Sequence, residues 1–131
     1  MNVLIDTHIF LWAKSRPEFL TKNECGILED PGNQIFFSHA SAWELEIKKY
    51  NRKIDLEDEW MSYVEQMGFK WLPIQREHLL ALRTLPAFHR DPFDRLLVAQ
   101  ARSEDLRMLS HDENVMKYFR VADPVEEVRN P

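Results

Sequence analysis

Short apolar runs recur along the chain and alternate with stretches of helical periodicity. NVLI at 2–5, IFFS at 35–38, KWLPI at 70–74 and RMLS at 107–110 read as strands buried on both faces. FRVA at 119–122 reads as a weaker fifth. Between them, 21–30 opens with Thr21 and, three positions later, Glu24, a capping-box pattern. Residues 39–51 carry Ala40, Trp43, Ile47 and Tyr50 as an apolar stripe along one helical face. Further helices are predicted at 57–67, 75–84 and 92–104. Strands alternating with helices predict an α/β fold with a mainly parallel sheet and right-handed crossovers. No internal repeat, low-complexity tract or linker interrupts the pattern, so a single domain over 1–131 is expected.

Ligands of open parallel sheets bind beyond the carboxyl ends of the strands, near the point where strand order reverses. Polar residues at those ends are therefore the first candidates for chemistry. Asp6 directly follows the first apolar run, and Asp112 stands two residues past Ser110 at the end of the fourth. Each also suits a helix N-cap. In the 39–51 helix, Glu44 and Glu46 both lie about 80° from the centre of the apolar stripe, so periodicity does not choose between them. Glu44 is nearer the helix start and hence the sheet end, while Glu46 reads as a surface acid pairing with Tyr50 or Lys49.

The string HRDPFDRLLVAQA at 89–101 holds two more acids. Asp91, just before Pro92, fits an N-cap. Asp94 shares a face with Leu97, Val98 and Ala101 and is expected to point inward, with Arg95 and Arg102 outward. Asp6, Glu44, Asp94 and Asp112 are thus expected to meet in one cleft. Two like charges 4 Å apart repel by about 4 kcal/mol at an effective dielectric of 20, so such a group needs protons or a cation. All-oxygen ligands point to Mg²⁺, or Mn²⁺ in its place. Such a site generates hydroxide and stabilises charge on a phosphoryl group, which suits hydrolysis of a phosphodiester.

Composition adds little that is decisive. A chain 44% hydrophobic and 30% charged is an ordinary globular one. No apolar run approaches the roughly 20 residues of a membrane span, so no membrane is expected. MNVLID lacks the basic start of a signal peptide. Cys25, the single cysteine, allows neither an internal disulfide nor a cysteine zinc cluster and reads as a small buried hydrophobe, consistent with the cytoplasm. The net charge of −5 disfavours phosphate partners only until acids gathered around a metal are set aside. Basic residues do cluster, in KKYNRK at 48–53 and at Arg90, Arg95 and Arg102.

The segments VLIDTHIFLW, SHASAWELEIKKYNRKIDL, LPIQREHLLALRTLP, HRDPFDRLLVAQA and MLSHDENVMKYF, in this order over residues 2–121, resemble the PIN-domain ribonucleases, specifically the VapC-type toxins of type II toxin–antitoxin pairs. The resemblance implies a three-layer α/β/α sandwich around a mainly parallel five-stranded sheet, and a Mg²⁺-dependent endoribonuclease leaving a 5′-phosphate and a 3′-hydroxyl. It also implies a VapB-like antitoxin that blocks the site, and a homodimer. The family's acids fall on Asp6, Glu44, Asp94 and Asp112. Asp6, Asp94 and Asp112 would be metal ligands, directly or through water, and Glu44 would hold a metal-bound water or a second metal. Asp91 is a cap close enough to act behind them. Thr7 and Ser110 suit orienting the acids by hydrogen bonds, or capping. His39 and His111 are candidates to touch RNA, with plain exposed loop positions the reading preferred for both. Arg90 and Arg95 are the first candidates to steer the RNA backbone.

Other readings fare worse. A receiver domain needs an acid pair after the first strand and a lysine after the fifth, and a haloacid-dehalogenase phosphatase needs an acid where His8 stands. Adjacent Ser110, His111 and Asp112 cannot converge as a hydrolase triad, and no nucleophile elbow is present. The rival from another class is a catalytically silent PIN-fold scaffold binding RNA or protein. Such scaffolds usually lack one or more acids, whereas all four are present here.

Overall fold

The computed structural model describes residues 1–121. Four strands, β1 (Asn2–Ile5), β2 (Gln34–Ser38), β3 (Lys70–Leu72) and β4 (Arg107–Leu109), form one parallel sheet in the order β3-β2-β1-β4. Helices α1 (Thr7–Ser15) and α2 (Lys22–Glu29) lead from β1 to β2, and α3 (His39–Tyr50) and α4 (Ser62–Gln66) lead on to β3. After α5 (Arg76–Ala81) and α6 (Pro92–Ser103) the chain returns to the far side of β1 as β4, and α7 (Glu113–Val121) follows. Strand order therefore reverses between β1 and β4.

Alternation along the central strand divides the interior in two. Val3 and Ile5 face a core shared with Ile9 and Phe10 of α1, Ile27 of α2 and Leu45 of α3. Leu4 faces the other way, onto Leu97 and Val98 of α6 and onto Val115 and Tyr118. The result is the expected α/β/α layering. A buried polar chain ties the layers together: Ser38 donates to Gln100 (2.5 Å), whose amide lies 3.3 Å from His78 Nδ1. His78 Nδ1 also accepts the Gln75 N–H, so its proton sits on Nε2 and is donated to Glu104 at 2.8 Å.

Three expectations are corrected. The sheet has four strands among the described residues, because Phe119, Arg120 and Val121 of the expected fifth belong to α7, while Ala122 lies outside those residues. Val115, Tyr118 and Phe119 recur at helical spacing against the second core, and that packing wins over a short β-prone run. The third strand stops at Leu72, since Pro73 has no N–H to offer a neighbour. The predicted helices at 57–67 and 75–84 shrink to α4 and α5, with turns or a 3₁₀ segment alongside.

The stripe on α3 is also misjudged. Ala40, Ser41, Ala42 and Leu45 are the residues it buries, while Trp43, Ile47 and Tyr50 are 58%, 37% and 88% exposed. Small side chains on the inward face let the helix lie close to α1 and α6. Glu46, expected to pair with Lys49 or Tyr50, accepts the indole N–H of Trp60 at 2.7 Å, and Lys49 pairs with Asp58.

Candidate active site

Four elements deliver acids to the reversal point. Asp6 directly follows β1 and caps α1, accepting the Ile9 N–H at 2.9 Å, and is only 4% exposed. Its other oxygen accepts the Ser110 hydroxyl at 2.5 Å, across from the end of β4. Glu44 reaches in from α3, held by the Thr7 hydroxyl at 2.7 Å and by Lys48 at 3.0 Å. Asp94 projects from the first turn of α6, whose N-cap Asp91 accepts the Asp94 N–H at 2.9 Å. Asp112 accepts N–H bonds from Asn114 and Val115 at the start of α7 and donates its own N–H to Ser110. Asp6, Thr7, Glu44, Asp94 and Asp112 line one cavity of about 280 Å³, together with His8, Trp12 and His111.

His89 closes one side. Its Nδ1 accepts the Asp91 N–H, which leaves the proton on Nε2, 3.1 Å from Asp94 and 3.0 Å from Asp112. The loop that carries it is clamped from α6 and α7. Arg95 donates to the carbonyls of Pro86 and His89 and to the Tyr118 hydroxyl, and Tyr118 donates to Pro86 at 2.7 Å.

Crowding shows in the electrostatics. Burial first, and then the charge of Asp91, push the Asp94 carboxyl up to about 7; Glu44 and Asp6 add to the rise and His89 opposes it. Burial also raises Asp6, against the bonds from Ser110 and Ile9. Burial acts the same way on Asp112, but the bond from His89 and the helix N–H groups outweigh it and hold that carboxyl low. Ligand atoms of His89, Asp94 and Asp112 lie within 4.8 Å of one another. Asp6, Glu44, Asp94 and Asp112, an oxygen-rich group lining one cavity under this repulsion, fit a hard divalent cation.

A family model described as the PIN domain matches residues 3–122. The chain belongs to the PIN domain family. PIN domains are nucleases that generally use divalent metals, and this PIN domain keeps its acids at the end of the sheet where the strand order reverses. Among solved structures it is similar to VapBC2 from Rickettsia felis, bound to a DNA fragment from their promoter. The TM-score is 0.67 at 15% identity over 92% of both chains, a likeness of fold. No curated protein matches the sequence significantly.

Sequence reasoning places the acids of this PIN domain in one cavity, and the structure brings all four there. Thr7 and Ser110 bond to Glu44 and Asp6. Arg90 is exposed beside the site, whereas Arg95 and Arg102, expected outward, are engaged with the loop carbonyls and with Tyr118. His111 is exposed and lines the cavity, and His39 sits at the first turn of α3 against Trp71. His89 escaped the sequence reading although it opens the string that raised Asp94. Lys48, four residues after Glu44, was detectable from spacing alone.

Proposed function

We propose that this PIN domain is a Mg²⁺-dependent endoribonuclease of the cytoplasm, a VapC-type toxin restrained by a VapB-like antitoxin. The observation that carries the reading is the convergence of Asp6, Glu44, Asp94 and Asp112, from four separate elements, with Asp94 held at about 7 by burial and like charge. Asp6, Asp94 and Asp112 would hold the metal. When bound, the cation supplies charge neutralisation at a phosphate and an acidified water.

The chain's own groups do the rest. Ser110 and the Ile9 N–H fix the rotamer of Asp6, and the α1 start keeps it facing the cavity. Thr7 and Lys48 hold Glu44 in place at the cavity wall, within which its carboxylate is the group to accept a proton from an attacking water. His89 supports both Asp94 and Asp112, and Arg90 at the rim is free to meet the RNA backbone. The antitoxin partner is supported by the fold shared with VapBC2 and by the resemblance in motifs.

The test is cleavage of a mixed cellular RNA pool by antitoxin-free protein in Mg²⁺, in Mn²⁺ and in EDTA. Asp6→Asn and Asp94→Asn variants with unchanged circular dichroism run beside it. Discrete fragments that need metal and both acids are expected. Intact RNA under every condition, with no metal uptake by titration, would turn the reading to a silent scaffold.

A further inference from the structure

One wall of the cavity is aromatic and is unused by the chemistry above. His8 and Trp12 stand one turn apart on α1, with ring centroids 5.7 Å apart. The His111 ring also packs on the Trp12 indole, with centroids 4.8 Å apart, and Phe19, itself 51% exposed, meets Trp12 at 5.8 Å outside the cavity lining. His111 is pinned by Glu24 at 2.7 Å, and Glu24 is fixed in the capping box of α2 by the Thr21 N–H at 2.8 Å. His111 is therefore held in place against Trp12 by side chains of α2.

Trp12 differs from the indoles that serve the fold. Trp60 is fully buried and donates to Glu46, and Trp71 donates to Glu65. Trp12 rests one side on the core, is half-buried, and its N–H has no hydrogen-bond partner among the described residues. Its free surface faces the same cavity as Asp6, Asp94 and Asp112. A phosphate brought to those carboxylates carries a sugar and base with it, and a flat apolar face beside the phosphate position is what an unstacked base needs.

We infer that Trp12, flanked by His8 and His111, forms a base-stacking subsite for a nucleotide adjoining the phosphate at the carboxylates. This rests on the RNA-cleaving reading above. His8 and His111 pack against the Trp12 ring at its borders, and Glu24 acts through His111 as a positioning residue.

The test measures binding of a short adenine oligoribonucleotide, and of the same strand lacking its bases, in Mg²⁺. Both are titrated against Asp94→Asn protein, which keeps the strand whole, with and without Trp12→Ala. Removing the bases is expected to weaken binding about 5- to 150-fold more when Trp12 is present than when it is alanine, the range for one stacked base. Trp12→Phe should retain most of that difference. Trp12→Leu, which refills the apolar volume, gives the same coupling if the alanine variant does not fold. Equal losses with and without Trp12 would overturn the subsite, leaving the wall as packing or as a surface for a protein partner. RNA bound neither by the Asp94→Asn proteins nor by the parent protein, with its carboxylates intact and Ca²⁺ in place of Mg²⁺, would overturn the nuclease reading and the subsite with it.

Discussion

At the residue scale, the proton on Asp94 is the feature with the widest consequences. A carboxyl raised on folding binds a proton that the unfolded chain has already released, so metal-free stability is greatest at low pH and is lost as pH rises toward the folded value. For Asp94 that window runs from 3.8 to about 7, and Asp6, also raised, acts in the same sense. The loss is roughly 1.4 kcal/mol per pH unit for each group fully within its window. In EDTA the melting temperature should fall between about pH 5 and about pH 7, where the low-lying Asp112 and Glu24 no longer titrate. Asp94→Asn should flatten the slope, and calorimetry should show Mg²⁺ binding more tightly and releasing fewer protons at the upper end. A flat profile in the parent protein would refute the account of crowding at Asp94.

At the element scale, the start of α6 serves fold and site together. Asp91 accepts the Asp94 N–H as an N-cap, and its charge is the second cause, after burial, of the raised Asp94 carboxyl. Two substitutions separate these roles. Asp91→Ala should lose about 1 kcal/mol of stability, the usual worth of a cap. Asp91→Asn keeps a capping oxygen and should melt within about 0.5 kcal/mol of the parent, yet lower the Asp94 titration midpoint, read by carboxyl NMR. This is also where the sequence is most legible. Capping and helical phase are local, so Asp91, Asp94, Thr21 and Glu24 can be assigned from neighbours within a turn. The position of His89 cannot, because Tyr118 and Arg95 fold its loop back over the site from other elements.

At the scale of the molecule, α3 leaves Trp43, Ile47 and Tyr50 on the surface, with Trp43 5.1 Å from Phe93 at the start of α6. An apolar strip of this kind on a folded chain is commonly an interface. A homodimer is an expectation from the resemblance to VapC-type toxins, and we propose α3 as its face. Sedimentation velocity should find a dimer that Ile47→Glu with Tyr50→Glu converts to a folded monomer. A double variant that remains dimeric would place the interface elsewhere.

Sequence alone determined the alternating α/β plan, the caps, and the acids at strand ends, since each follows from a period or a spacing of a few residues. It set Glu44 ahead of Glu46 by nearness to the sheet end. Tertiary structure alone decided which face of α3 is buried, because an exposed apolar stripe and a core stripe have the same period. It also decided that 119–121 is helix, that Arg95 clamps a loop, and that His89 stands between Asp94 and Asp112. These outcomes depend on groups brought together from separate elements, and packing, not local pattern, selects among them.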